Sequence, residues 1–543
     1  MVDLKLLLRS RPSTSTNKAA QFSWKTALLL VGSGLVMSLA VPPMSLWPLA
    51  WFCLAPLWGV LSTYRTWKTS FLYGLFWGVG FYGSVLSWIT ALHPLTWMGV
   101  PWLGSIAIAA FAWSFVTLWG AATVGIWAVA LQALTRFKGI RPVTKIVVGT
   151  TLWCVLEVLR NQTPLDWASL ALTQSPNNLW ILQLSQISGQ VLIAALLVIF
   201  NGLLAEGCLV WVNRISPRAS RPFFVSACVL ALASHGFGAM LFSQVSGSQL
   251  IPLNIGLIQG NVPTRVKLTQ EGIRQAWQGY LTGYQTLAAQ GADAVLTPEG
   301  AIPAIWNPQT AQSTLLSQTV KSAGVPLWLG TFTTDPEHPG FSRVSQTLME
   351  INAQGIATSR YNKVQLVPLG EYLPFASLVG QIIGRLSPLD SYLVPGSPHQ
   401  QFVTSFGPAI VGICYESAYG RLFREQARLG GEFILTASNN DPYPRRMMVQ
   451  HHALDVIRAI ESDRWAVRAT NTGLSGIVDP KGRTLWLAQP HTYTIHQATI
   501  YRRQTLTPYT RWGNWALLSL LGVSIFLLVQ AVLLRPVESD FRD

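Results

Sequence analysis

Eight apolar stretches punctuate the chain, at about 26–41, 45–63, 69–92, 103–134, 143–160, 184–213, 222–244 and 514–534. A bilayer hydrocarbon core of about 30 Å takes ~20 helical residues to cross, so most of these stretches are long enough. The first is short and runs into Pro42-Pro43, which makes it a half-span or one arm of a tight hairpin. The segment after Asn161, through Asp166 and Trp180, mixes polar and apolar positions and admits a re-entrant piece. The pattern predicts eight spans, plus or minus one. Between about 250 and 505 it changes, and short β-rich runs alternate with helical periodicity. Strands are predicted at 254–258, 294–296, 326–330, 345–351, 409–413, 433–436 and 465–468, and helices at 272–290, 310–323 and 450–463. Some 260 residues can bury a full core as one domain. The mixture indicates an α/β or α+β sandwich.

Composition agrees with a membrane protein carrying a polar domain. Half of the 543 residues are hydrophobic, 11% are charged, and tryptophan occurs 23 times. The net charge of +15 would suit nucleic acid, but its distribution argues otherwise. Residues 1–245 and 512–543 carry 17 Lys/Arg against seven Asp/Glu, and most of these cations lie in short loops beside apolar segments. Cations so placed orient a protein in a bilayer. Arg9, Arg11, Lys18 and Lys25 precede the first span, Arg65 and Lys68 follow the second, Arg136, Lys138, Arg141 and Lys145 follow the fourth, and Arg214, Arg218 and Arg221 follow the sixth. The alternate loops are nearly free of Lys and Arg. The N-terminus is therefore expected in the cytoplasm, with seven spans delivering the polar domain to the far side. The last span returns a tail with Arg535 and Arg542 to the cytoplasm. No small-residue cleavage site follows the first apolar stretch, so it reads as an uncleaved anchor. The expected divisions are 1–245, a membrane domain; 246–510, an extracytoplasmic domain; and 511–543, a final transmembrane helix and tail.

Chemistry enters with the cysteines. Cys53, Cys154, Cys208 and Cys228 lie in apolar segments, whereas Cys414 stands alone in the polar domain. An unpaired cysteine kept outside the cytoplasm is a candidate reactive thiol. It ends the apolar run 409–413. Two other strand ends carry charge: Glu299 in Thr297-Pro298-Glu299-Gly300, and Lys363 after Tyr361-Asn362, with Glu371 eight residues later. Strand ends project residues from a rigid scaffold, so a carboxylate, an ammonium and a thiol gathered there would make a nucleophilic site. The carboxylate would take the thiol proton, and the lysine would stabilise the thiolate and then an oxyanion. Each residue also has a plain structural reading: a buried cysteine behaves as a small hydrophobe, and Glu299 or Lys363 alone reads as a surface charge. The tract Gly473-Leu474-Ser475-Gly476 lacks the glycine spacing of a serine elbow. His451 and His452 are adjacent, which is unsuited to sharing a metal on one helix face. The apolar loop 375–394 reads as core or as a lipid-dipping segment.

In combination these motifs resemble the carbon–nitrogen hydrolase (nitrilase) superfamily. The carriers are Glu299 in Thr-Pro-Glu-Gly, Lys363 in Tyr-Asn-Lys and Cys414 in Gly-Ile-Cys-Tyr-Glu, joined by the runs 257–261, 367–374, 438–441, Gln450-His451 and 468–473. With spans before the domain and one after it, the whole chain resembles the apolipoprotein N-acyltransferase family. The resemblance implies a nitrilase-like αββα sandwich on a multi-pass α-helical membrane domain. It implies Cys414 as nucleophile, Glu299 as general base and Lys363 as support for the tetrahedral intermediate, aided by the backbone N–H after the cysteine. Glu371 and Glu416 are expected to position the base and the substrate amine, and Tyr415 to lie against the nucleophile. The implied reaction moves an acyl chain from a membrane phospholipid through a Cys414 thioester to the α-amine of a diacylglyceryl-cysteine on an apolipoprotein. It needs no cofactor, metal or nucleic acid, and takes place at a bacterial inner membrane. Leu268 stands where the family often has tryptophan. A membrane-tethered amidase acting on a small substrate and an inactive lipoprotein-binding scaffold are the alternatives.

Overall fold

A computed structural model describes residues 22–63, 66–137, 140–213, 217–244, 251–334, 343–368, 370–372, 392–441 and 443–533. The expected loop 375–394 lies outside the described residues as far as 391, as do the basic positions Arg9, Arg11, Lys18, Arg65, Lys138, Arg214, Arg535 and Arg542.

Every apolar stretch is helical. The main elements are α1 (Trp24–Ser38), α2 (Ala55–Leu61), α3 (Trp67–Val85), α4 (Trp102–Arg136), α5 (Pro142–Asn161), α6 (Leu179–Gln183), α7 (Ser185–Val212) and α8 (Pro217–Ser243). Among the described residues, five helices are long and apolar enough to cross a membrane: α4, α5, α7, α8 and one near the C-terminus. Trp24–Ser38 and Trp47–Leu61 are shorter apolar segments. The eight expected spans therefore divide into five full-length apolar helices, two shorter segments, and α3, which is 19 residues long but carries Gly74, Gly78, Gly80 and Gly83 where a lipid-facing helix would carry aliphatics. Those glycines let backbones touch, as small residues do between helices in lipid. A Cβ on Gly78 would sit 2.5 Å from Ala121 Cα, and one on Gly80 2.3 Å from Val31 O. The ambiguous stretch after Asn161 contains no long helix, only a short 3-10 turn at Leu170–Thr173 before α6.

The polar domain contains two sheets. The first has the order β13-β1-β2-β3-β4-β5, with β6 on β4: β1 (Ile251–Gln259), β2 (Ala294–Leu296), β3 (Leu327–Thr334), β4 (Arg343–Ile351), β5 (Ala357–Asn362), β6 (Tyr392–Leu393) and β13 (Thr494–Arg502). The second has the order β12-β11-β10-β9-β8-β7: β7 (Phe402–Thr404), β8 (Gly407–Ile413), β9 (Ile434–Ser438), β10 (Ala466–Thr470), β11 (Gly476–Val478) and β12 (Thr484–Leu487). Their facing apolar residues, among them Leu253, Ile255, Leu257, Trp328, Val411, Leu435 and Val467, form one core. Helices α9 (Gln270–Ala289) and α10 (Ala311–Ala323) cover the first sheet. Helices α11 (Gly420–Arg428) and α12 (Arg445–Ser462) cover the second. The result is the α/β sandwich expected from the strand–helix alternation. Helix α13 (Trp515–Leu533) then returns to pack on α5.

The sandwich and the bundle share one apolar core. Leu422, Phe423, Met447, Leu454 and Ile457 of α11 and α12 join Trp51, Trp58, Leu170 and Leu182 of the bundle in a single buried cluster. Helix α12 is consequently buried on nearly every side, lying between a sheet and the bundle.

Close helix contact through glycine generates a stability prediction. A Cβ at Gly34 would lie 2.1 Å from Trp77 O, whereas Gly32 meets nothing within 4 Å. Gly34→Ala should cost about 1–3 kcal/mol as overpacking against backbone. It should lower the unfolding temperature of the detergent-solubilised chain, while Gly32→Ala leaves it unchanged or slightly raised.

Candidate active site

Three strand ends meet on one rim of the sandwich. Glu299 follows β2, Lys363 follows β5 and Cys414 follows β8. Lys363 is wholly buried, and its ammonium donates to Glu299 Oε1 at 2.9 Å and to Glu371 Oε1 at 2.5 Å. The other Glu371 oxygen accepts the Val367 N–H at 2.9 Å, and the other Glu299 oxygen accepts the Asn439 N–H at 2.9 Å. Burial opposes the Lys363 charge, but Glu299 and Glu371 outweigh it and hold its pKa well above the ordinary lysine value. Burial raises Glu371, with Lys363 pulling it back.

Cys414 points its thiol at Asn439 O, 3.8 Å away. Burial pushes the thiol pKa well up, Glu299 adds to the rise, and Lys363 opposes it. The resting group is a neutral thiol beside a carboxylate. Its backbone has φ +53°, a left-handed conformation that costs a non-glycine residue about 1–2 kcal/mol and persists only where the surroundings enforce it. Two contacts enforce it here. The Cys414 carbonyl accepts His451 Nε2 at 2.8 Å, and the preceding Ile413 N–H donates to Glu416 Oε2 at 2.7 Å. His451 Nδ1 faces the Asn440 amide at 2.9 Å, so the imidazole donates through Nε2 and accepts through Nδ1. Burial, aided by Arg468, holds its pKa well below the ordinary histidine value and keeps it neutral.

The supporting residues fall in different places. Glu371 touches Lys363 directly. Glu416 is fully buried, and its oxygens accept Val364 N, Gln365 N, Ile413 N and the Tyr361 hydroxyl at 2.6, 3.0, 2.7 and 3.3 Å. Four donors fill a carboxylate's acceptor sites, so the expected contact of Glu416 with a substrate amine has no oxygen available. Glu416 instead braces the chain after Lys363 against the chain before Cys414. Burial raises its pKa to about 7, against the pull of those backbone donors. Tyr415, expected against the nucleophile, turns its hydroxyl to the bundle, 3.1 Å from Pro164 O. Leu268 is 44% exposed beside the rim.

Sequence reasoning passed over Asn439, whose N–H and C=O hold the carboxylate and the thiol, although it lies in the quoted run 438–441. It also passed over Lys267. This lysine is buried, with Nζ 3.2 Å from Glu299 O, and no pattern in its neighbourhood signals the burial.

Comparisons with known proteins bear on the family. Residues 254–507 match the family model for carbon-nitrogen hydrolases, and residues 33–203 match the one for the apolipoprotein N-acyltransferase N-terminal domain. Fold and site thus define a carbon–nitrogen hydrolase sandwich carried on a bundle of apolar helices. An apolipoprotein N-acyltransferase from Nostoc sp. is 47% identical over 90% of this chain and 96% of its own length. Those from Thermosynechococcus vestitus and Synechocystis sp. are 44% and 43% identical over 95% and 90% of this chain, and each is covered over 97% of its length. The chain belongs to the apolipoprotein N-acyltransferase family.

Lys267 supplies a pH prediction. Burial lowers its pKa from 10.5 to about 8, against the pull of Glu299 and Asp441. Folding therefore disfavours the ammonium: the penalty is full below pH 8 and fades as pH rises to 10.5. It amounts to at most ~3 kcal/mol. Lys267→Met should raise the unfolding temperature near neutral pH, with the gain shrinking above pH 8, as read by thermal scans across pH.

Proposed function

We propose that this chain transfers an acyl chain from a membrane phospholipid, through a thioester on Cys414, to the α-amine of a diacylglyceryl-cysteine at the start of an apolipoprotein. The observation that carries the reading is a neutral thiol and two carboxylates gathered around a buried ammonium, on a rim of the sandwich that packs against apolar helices. A nucleophile held there meets lipid-anchored substrates more readily than free solutes.

Glu299 takes the Cys414 proton as sulfur attacks the ester carbonyl. Lys363 and the Tyr415 N–H stabilise the oxyanion of the tetrahedral intermediate. Its collapse breaks the ester C–O bond, and the leaving alkoxide takes the proton from Glu299 to become a lysophospholipid alcohol. In the second step the acceptor amine attacks the thioester carbonyl and loses its proton to Glu299. The thiolate departs and recovers that proton, leaving an amide. Dividing the transfer this way replaces a direct ester-to-amide attack with two lower barriers. Glu371 holds Lys363 in place, while Glu416 and Tyr415 shape the turn around the nucleophile.

The basic loops support a cytoplasmic N-terminus and C-terminus, a multi-pass domain over 1–245, and a catalytic domain over 246–510 on the outer face of the inner membrane. The helix in 511–543 tethers the domain at its second end. A doubly tethered domain meets both lipid-borne substrates in two dimensions.

Incubation with acyl-labelled phospholipid should leave label on Cys414, released by neutral hydroxylamine. Cys414→Ala should carry none, and transfer to a diacylglyceryl peptide by that variant would overturn the reading. Glu299→Gln should abolish thioester formation, by roughly 10²-fold or more for loss of the base. Glu371→Gln keeps the base and should still form the thioester, slowing mainly its aminolysis in single-turnover measurements.

A further inference from the structure

The nucleophile's turn is gripped from the bundle as well as from its own sheet. Tyr415 Oη donates to Pro164 O and accepts from the Asp166 N–H, both at 3.1 Å. Tyr419 Oη donates to Thr163 O at 3.2 Å, and Asn161 Nδ2 donates to Ala418 O at 3.3 Å. The Trp167 ring lies parallel to that of Tyr415, with centroids 6.0 Å apart and planes 5° from parallel. Trp167 also packs on His451, the imidazole that holds the Cys414 carbonyl, and its Nε1 donates to Gln450 Oε1 at 2.9 Å. Segment 161–168 of the bundle therefore covers the turn 414–419 along its length.

Segment 162–168 has no regular secondary structure to hold its own shape. Two buried charges hold it instead. Asp166 Oδ1 accepts Arg160 Nε at 2.8 Å, and Oδ2 accepts Asn161 Nδ2 at 2.8 Å. Arg160 donates further to Ala168 O at 2.9 Å and to the Tyr82 hydroxyl. Replacing a buried ion pair by apolar residues is often neutral for stability, and its best-attested use is registry. The thing in register here is a backbone held at positive φ, which its surroundings must over-determine.

We propose that Arg160, Asp166 and Trp167 are positioning residues of the bundle that set the nucleophile turn, so that acyl transfer requires bundle and sandwich to be docked through segment 161–168. The inference rests on the reading of Cys414 as the acyl carrier. The bundle is then part of the catalytic machinery as well as an anchor. Misplacing a nucleophile by about 1 Å costs on the order of 10²-fold in rate.

Full-length variants in detergent, given labelled phospholipid, test this in single turnovers. Asp166→Asn keeps the backbone N–H to Tyr415 but removes the charge that Arg160 holds. It should slow acyl-Cys414 formation ~10- to 100-fold with the half-saturating phospholipid concentration little changed. Glu206→Gln breaks another buried ion pair of the bundle, Lys145–Glu206, which has no contact with the turn. It should destabilise the chain comparably while keeping the rate within about threefold. Trp167→Phe retains ring stacking and should recover most of the rate lost in Trp167→Ala; this pair decides the matter if Asp166→Asn fails to fold. A wild-type rate in Asp166→Asn, an equal loss in Glu206→Gln, or equal rates in the two Trp167 variants overturns the inference. Absence of acyl-Cys414 in the wild type overturns the underlying reading instead.

Discussion

A lysine kept charged where no solvent reaches it is the constraint around which the rest of the site is arranged. Lys363 is 0% exposed, and an isolated ammonium there would lose its proton. Glu299 and Glu371 prevent that, one on each side, at hydrogen-bonding distance. One ammonium between two carboxylates leaves a single net negative charge. On the proposed mechanism, moving the Cys414 proton to Glu299 relocates that charge to sulfur without creating a new one. The low-dielectric rim that would penalise separating charges then penalises the reaction little. The same burial that raises the thiol pKa also makes the eventual thiolate a poorly solvated, reactive nucleophile.

Such a cluster needs strand ends that do not move. Glu299, Cys414 and Asn439 each follow a strand of a parallel segment, β2, β8 and β9, held between helices on its outer face and the other sheet on its inner face. Asn439 joins the parts, since its N–H donates to Glu299 and its C=O accepts the Cys414 thiol. Glu416 locks a fourth piece by bonding both the Lys363 loop and the strand that carries Cys414. Its oxygens are engaged by Val364, Gln365, Ile413 and Tyr361, so this carboxylate two residues from Cys414 braces the turn.

The bundle and the sandwich form one apolar core, and this continuity has a mechanical consequence. A helix such as α12 is buried on both sides, so a shift of the bundle must shift the second sheet. The glycines of α3 draw the bundle tight from the other direction. Both halves of the chain thereby bear on one turn of five residues, Cys414–Ala418, which sits at their junction.

Much was legible in the chain itself. Hydrophobic length separates the bundle from the sandwich, alternation and β-branched runs locate seven strands within a few residues, and the solitary Cys414 marks the proposed nucleophile because no partner thiol shares its domain. Local pattern placed a strand end before Lys363 without giving β5 its bounds, and it missed β6, β7 and β11–β13, which are short or half-exposed elements. It read the glycine-rich α3 as an ordinary span, since hydropathy does not register how closely backbones approach. It could not assign Glu416, because whether a carboxylate faces substrate or backbone depends on donors about 50 residues away in sequence. Asn439, Lys267 and the Arg160–Asp166 pair were likewise invisible, their roles arising from contacts across more than 30 and up to about 250 residues. Residue type and periodicity thus determine which groups are available and which segments are long and apolar enough to cross a membrane. Only tertiary packing decides which charges lose their water, and that loss of solvation is what turns a lysine and two glutamates into a site.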